Sequence, residues 1–401
     1  MKAVVFHRVG GARLEDVPEP EIQEETDAIV RLTASATCRT DLHFIRGTMV
    51  PMKKGTIFGH DGVGIVEKTG RLVRNVNPGD RVLVPSTIAC GTCVYCRAGY
   101  YSQCDRVNPQ GRRAGTAFFG GPESSGAFDG LRAEKARIPF AHVGLIKLPD
   151  EITDDQAILM SDIFPTGYFG ADLAEIDDGD SVAVFGCGPV GQFVIASAKL
   201  MGAGRIFAID AKPDHLRMAQ RQAAEIIDFD AEDPVQTLLA LTDDIGVDRA
   251  IVAVGIDAPH PHHGPLAATA REQAEDSRWR QTELAPQARP GSGQWNPGGP
   301  TQAFEWAVDA LAKAGTLAII GVDPSLAERF PFGKAMNKNL TINMGNCNHQ
   351  KYLPHLIGLV RSGTVDPVEI LSRKESLTNL IAAYRAFDRR EPGRLKAKLE
   401  P

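Results

Sequence analysis

Short β-branched runs separated by Gly and Pro mark the chain up to about residue 150. Ala28-Ile29-Val30-Arg31-Leu32, Gly62-Val63-Gly64-Ile65-Val66 and Arg81-Val82-Leu83-Val84 are the clearest of them, and together they predict a compact β-rich domain of short strands and tight turns. From about 151 the texture changes, and Asp154 to Met160 reads as helix. Ser181-Val182-Ala183-Val184-Phe185 is an apolar run of buried-strand type that leads through a glycine-rich turn into the helix-like stretch Gln192 to Leu200. Arg205 to Asp210, Val247 to Gly255 and Gly315 to Val322 continue the alternation, which predicts a parallel sheet with crossover helices. A helical segment around Tyr352 to Arg361 and a short final unit follow. The expected class is therefore α/β, a β-rich domain over 1–155 joined by 340–401, and a doubly wound parallel-sheet domain over 156–339.

One segment breaks the alternation. About 256 to 302 is rich in Pro, Gly, Gln and charge, carries His260, His262 and His263, and holds Trp279 and Trp295, two of the three tryptophans in the chain. A long insertion of this kind is usually functional or disordered, and its histidines read as solvated.

Composition narrows the partners. At 401 residues the chain is longer than one hydrophobic core usually supports, with 43% hydrophobic and 23% charged residues. A net charge of −6 and no basic run argue against nucleic acid or an acidic membrane surface. The expected partner is a small molecule. No apolar run is long enough to span a bilayer, and Met1 to Phe6 reads as a strand without a signal-peptide pattern, so a cytoplasmic setting is expected. The seven cysteines fit that reading, being an odd set with four clustered at metal-ligand spacing.

That cluster is the most specific local signal. Cys90, Cys93 and Cys96 recur at every third residue and Cys104 follows, a loop able to wrap one tetrahedral ion. With four thiolates no position stays open, so the ion would be structural. The second signal is Gly186-Cys187-Gly188-Pro189-Val190-Gly191, which follows a strand and opens a helix. Such glycines allow a tight turn and close approach of a pyrophosphate to the helix N-terminus. The next strand ends in Asp210, in range of the adenosine ribose, where a carboxylate accepts from the 2′-hydroxyl and repels a 2′-phosphate. NAD is therefore expected over NADP, although Lys212 is a small counterargument. The third signal is Cys38-Arg39-Thr40-Asp41-Leu42-His43, in which a potential thiolate ligand is followed by a hydroxyl and an imidazole able to pass a proton on. His60, between Gly59 and Gly62, and Asp162, in Ser161-Asp162-Ile163-Phe164-Pro165-Thr166-Gly167, gain meaning only if the fold brings them to Cys38.

Taken in order, these segments resemble the zinc-dependent medium-chain alcohol dehydrogenases over nearly the whole chain. Within that superfamily the Asp162 segment, the long insertion and Met344-Gly345-Asn346-Cys347-Asn348-His349 look most like the glutathione-independent formaldehyde dehydrogenase and dismutase group. The resemblance implies a GroES-like catalytic domain and a Rossmann domain with the active site in the cleft between them. It implies two zinc ions per chain: a catalytic one on Cys38, His60 and Asp162 with a fourth position open, and a structural one on Cys90, Cys93, Cys96 and Cys104. Thr40 and His43 would carry the proton relay. Cofactor contacts would come from Arg39, Gly186, Gly188, Pro189, Val190, Gly191, Asp210, Arg217, Val254, Ile320, Gly321, Val322, Asn346 and Asn348. A homodimer or homotetramer is expected on the same ground.

Two positions depart from the pattern. Arg39 stands where the subgroup often has Gly, and Asp61 replaces the glutamate that usually follows the ligand histidine. The expected reaction is hydride transfer between an alcohol, or an aldehyde hydrate, and NAD, with dismutation following if the insertion covers the cofactor and slows its release. A polyol or secondary-alcohol dehydrogenase is the alternative, suggested by the small Ser86 at a pocket-wall position. A non-catalytic protein retaining the fold would have no need to keep Cys38, Thr40, His43, His60 and Asp162 together.

Overall fold

The computed structural model describes residues 1–47, 52–111, 113, 115–255, 261–271, 300–321, 330–382, 384 and 395–401. They divide into two compact units, one of Met1–Pro165 with Cys347–Pro401 and the other lying between Thr166 and Asn346. Val322 and residues 256–260 and 272–299 of the insertion lie outside the described residues.

The first unit is built on short strands. β1 (Lys2–Arg8) and β2 (Gly11–Asp16) form an antiparallel pair. A seven-stranded sheet contains β3 (Ala28–Ala36), β4 (Gly62–Thr69), β5 (Arg81–Val84), β6 (Lys135–Ile138), β7 (Ile146–Lys147) and, from the end of the chain, β14 (Leu371–Ser376) and β15 (Lys396–Glu400). Its order is β14-β15-β3-β4-β5-β7, with β6 also on β3. Val30, Leu32, Val66, Val82 and Val84 from these strands are buried in one cluster with Cys90, Cys96 and Cys104. The cysteine lobe is thus anchored on the sheet's own core. β15 pairs antiparallel with the end of β3, Leu399 opposite Ser35.

The helix Arg39–Arg46 follows β3 directly. Its buried residues are Asp41, Leu42, His43, Phe44 and Arg46, so three polar groups go inward with the apolar ones. The helix Asp154–Met160 starts on a capping box between Thr153 and Gln156 and presents Ala157, Ile158, Leu159 and Met160 to the core.

The second unit holds β8 (Ser181–Phe185), β9 (Arg205–Asp210), β10 (Glu225–Asp228), β11 (Val247–Val252), β12 (Leu311–Ile319) and β13 (Thr341–Met344). All pair in parallel, in the order β10-β9-β8-β11-β12-β13. This is the doubly wound dinucleotide-binding order, whose strand sequence reverses between β8 and β11. Burial on both faces explains the apolar runs: Val182, Ala183 and Val184 are fully buried, as are Ala250, Ile251 and Val252. β12 begins earlier than the apolar run suggested, because Leu311 pairs with Val247 ahead of the left-handed Ala314.

Candidate metal and nucleotide sites

Cys38 closes the extended segment after β3 and caps the helix Arg39–Arg46, whose N-terminus favours an anion. His60 lies just before β4, and Asp162 lies between the helix Asp154–Met160 and the helix that begins at Ile163. One ligand atom from each of Cys38, His60 and Asp162 falls within 4.8 Å of the others. The His60 Nε2 is 3.6 Å from Asp162 Oδ2. On the far side of the ring, Nδ1 is 3.8 Å from Asp41 Oδ1, and neither atom makes a hydrogen bond. Gly59 permits this turn: it has φ +99°, and a Cβ there would come within 2.5 Å of Arg132 Cγ.

The buried groups of the cluster set one another's charge. Burial would lower the His60 imidazole, but the Cys38 thiolate and the Asp162 carboxylate overcome it and push it well up. Burial would raise the Asp162 carboxyl, yet His349 and His60 hold it well below the ordinary range. A soft sulfur, a nitrogen and a carboxylate oxygen converging on one point suit a zinc ion with a fourth position free.

Behind these residues lies a charged layer. Arg132 Nη2 donates to Asp41 Oδ2 at 2.6 Å, both side chains are fully buried, and the guanidinium stacks over the Tyr384 ring. Asp61 is turned away from the cluster, accepting from Ser161 Oγ at 3.2 Å and pairing with Lys396 Nζ at 3.0 Å. Thr40 Oγ1 is 3.6 Å from Cys38 Sγ, and His43 is buried on the same helix. Ser86 is buried too, and the space its small side chain leaves is backed by His349, whose Nε2 is 3.2 Å away.

The four sulfurs of Cys90, Cys93, Cys96 and Cys104 also fall within 4.8 Å of one another, and all seven cysteines are free of disulfides. Backbone N–H groups of Thr92 and Cys93 donate to Cys90 Sγ, that of Cys96 to Cys93 Sγ and that of Cys90 to Cys104 Sγ. The Cys96 thiol bonded to Cys104, helped by the N–H groups of Cys90 and Val107, brings Cys104 down to about 4. A nest of N–H donors around sulfur is the environment of metal-bound thiolates.

In the second unit the glycine turn stands at the end of β8, where the strand order reverses. Gly186 has φ +93°, and a Cβ on Gly191 would lie 1.9 Å from the Gly186 carbonyl oxygen. Gly188 is the N-cap and Pro189 the first residue of the helix Pro189–Leu200, with Val190 next to it. Gly321, after Ile320, passes so close to Val254 that a Cβ would lie 1.7 Å from the Val254 carbonyl oxygen.

Asp210 ends β9 and is enclosed by donors. Its Oδ2 accepts from Cys187 N at 2.8 Å and faces His215 Nδ1 at 2.9 Å; its Oδ1 accepts from Ala211 N and Lys212 N. Burial would raise it, but His215 and these N–H groups bring it down to about 2. His215, which the sequence did not single out, is therefore the basic residue at Asp210, whereas Arg217 pairs with Asp214. Asn346 is exposed. Asn348 has its Oδ1 engaged by Ser102 N and Ser102 Oγ, both at 3.0 Å, in the cysteine lobe. Of the insertion histidines, His262 and His263 donate backbone N–H groups to Asp230.

Residues 24–150 match the model of the alcohol dehydrogenase GroES-like domain, and residues 189–260 that of the zinc-binding dehydrogenases. An uncharacterised zinc-type alcohol dehydrogenase-like protein of Bacillus subtilis is 33% identical over the full length of both chains. The solved alcohol dehydrogenase TADH of Thermus sp. ATN1 superposes with a TM-score of 0.82 at 31% identity, covering 100% of this chain and 99% of that one. The glutathione-independent formaldehyde dehydrogenase of Pseudomonas aeruginosa is 35% identical, but over only 66% of this chain and 68% of its own. Similarity to that subgroup is thus partial, while the match to zinc-type alcohol dehydrogenases runs end to end.

Proposed function

The chain belongs to the zinc-type alcohol dehydrogenases, and from that membership we propose that it transfers a hydride between a small alcohol, or an aldehyde hydrate, and NAD. The observation that carries the reading is the convergence of Cys38, His60 and Asp162 in one buried cluster. These three residues would hold the catalytic zinc, and the four cysteines a structural one. What the metal supplies when bound is Lewis acidity toward a substrate oxygen, which makes its proton easier to lose. Asp41 Oδ1 faces His60 Nδ1 at 3.8 Å, the side from which outer carboxylates orient metal-bound imidazoles. The Thr40 hydroxyl, beside Cys38, would take the substrate proton at Oγ1 as it passes its own on, and the His43 imidazole, on the same helix, would be the acceptor at the far end of that relay.

NAD is favoured because Asp210 is ionised at any ordinary assay pH and would repel a 2′-phosphate. The partial likeness to the formaldehyde dehydrogenase supports aldehyde hydrates as substrates beside alcohols. Purified protein assayed with formaldehyde, longer aldehydes and alcohols should interconvert NAD and NADH while carrying two zinc ions per chain. Asp210→Ser should raise the NADP to NAD preference by at least roughly tenfold, the scale of losing one nearby charge. Absence of any cofactor-dependent turnover across that panel would refute the activity, and an unchanged preference would remove Asp210 from cofactor choice.

Self-association is part of the same proposal. β13 lies at one end of its sheet, and Met344 on it, with Phe332 and Met336 of the preceding helix Phe332–Asn337, is strongly exposed. Light scattering after size exclusion should give a dimer or larger assembly that Met344→Lys weakens. A monomer at micromolar concentration would contradict this.

A further inference from the structure

Asp162 has two oxygens, and its surroundings treat them differently. Oδ2 faces the imidazole of the metal-ligand cluster, 3.6 Å from His60 Nε2. Oδ1 points the other way, 3.2 Å from His349 Nε2 and 3.4 Å from Ser86 Oγ. His349 is 4% exposed and is the first residue of the helix His349–Arg361, so its ring is anchored by a thirteen-residue element. Its second nitrogen, Nδ1, is 2.7 Å from Thr87 Oγ1. The Thr87 carbonyl in turn accepts from Gln350 Nε2 at 2.8 Å, which ties the next helical residue to the same strand end.

We propose that His349 is a positioning residue for Asp162, fixing Oδ1 so that Oδ2 alone is offered to the metal. The inference rests on the reading of Asp162 as a ligand and adds the group that governs how it binds. A carboxylate free to rotate about its last bond presents either oxygen, or both at once, and loses that freedom when it ligates. A carboxylate oxygen only accepts, so a hydrogen bond to it places a proton on His349 Nε2. Thr87 Oγ1 fixes the other edge of the ring, whether it donates to Nδ1 or accepts from it. Such an arrangement removes the rotation in advance and makes Asp162 a one-oxygen ligand, leaving the fourth position for substrate. The usual outer partner of a metal ligand is a carboxylate behind a histidine; here the order is reversed, with a histidine behind a carboxylate.

The test is metal release from the intact zinc-loaded protein into a chelator, followed as two kinetic classes, together with the absorption of cobalt exchanged into the faster class. His349→Phe keeps the ring volume and removes the donor, and it should release the faster class about 10- to 100-fold more quickly. The slower, four-cysteine class should be unchanged, and the cobalt bands should move toward those of a higher coordination number. His349→Gln, whose amide can donate to Oδ1, should restore most of the retention. If His349→Phe does not fold, Thr87→Val carries the same test, with a severalfold faster release expected. Wild-type release and cobalt bands in both His349→Phe and Thr87→Val would overturn the inference, provided Asp162→Ala has lost the faster class. Retention of that class by Asp162→Ala would overturn the ligand assignment itself.

Discussion

Replacement of His60 by alanine is expected to remove one of two zinc ions per chain and to lower turnover by about a thousandfold or more, since Lewis-acid stabilisation of a developing charge is worth several kcal/mol and each 1.4 kcal/mol is tenfold. The reasoning starts from charge. One ligand atom from each of Cys38, His60 and Asp162 lies within 4.8 Å of the others, and within that cluster the imidazole is the only group able to bear positive charge. Without it, an ion would be left with two ligands, too few for the tetrahedral site that zinc requires. The fold should survive, because Asp41 keeps its 2.6 Å pair with Arg132 and Phe118, which meets the His60 ring edge-on, stays packed against Phe44. Metal analysis after dialysis, with the circular dichroism of the variant as a control, checks the prediction. A variant that kept two zinc ions and full turnover would remove His60 from the metal site.

The parts of this site that the sequence made legible are those whose residues repeat or lie close together. Three cysteines at intervals of three, or three glycines between a strand and a helix, signal chemistry because packing alone has no use for such spacing. Cys38, His60 and Asp162 are singletons, and only similarity to a family joined them in advance. In the outer layer Asp61 stood out only as a departure from the family pattern and His349 only as the end of a family-like segment, and nothing in the spacing named their partners. His349 and Asp162 are 187 residues apart and Lys396 and Asp61 are 335 apart, and each reads alone as an ordinary helix or strand residue. Arg132 looks like a surface cation until the end of β3 and Tyr384 enclose it, and burying it is tolerable only because Asp41 is there. His215 was passed over for the same reason. Reach to Asp210 depends on which face of the helix Pro213–Arg221 a residue occupies, and His215 occupies the one that meets it.

Cys104→Ala carries the second large effect, and it should extend beyond the lobe it disrupts. Structural zinc sites contribute on the order of 10 kcal/mol to the folding of the segments they close, so the stretch from Cys90 to Cys104 should lose its metal and its order together. Limited proteolysis would then cut within that stretch, while the wild-type protein resists. Cys90, Cys96 and Cys104 also belong to the apolar cluster of the β-rich unit, so part of that core loosens with them. The further consequence runs through Ser102, whose N–H and hydroxyl both donate to Asn348 Oδ1. Asn348 caps the helix that begins at His349, and His349 holds Asp162. Release of the lobe therefore frees the start of that helix, and the catalytic zinc should be held about tenfold less tightly in Cys104→Ala, as when other outer partners of a metal ligand are removed. Asn348→Ala separates the two effects. It should weaken retention of the catalytic zinc by a similar factor while the four-cysteine site keeps its ion and the lobe stays resistant to protease. If Asn348→Ala holds both ions as the wild type does, the lobe stabilises only itself, and its coupling to the catalytic cluster through Asn348 is wrong.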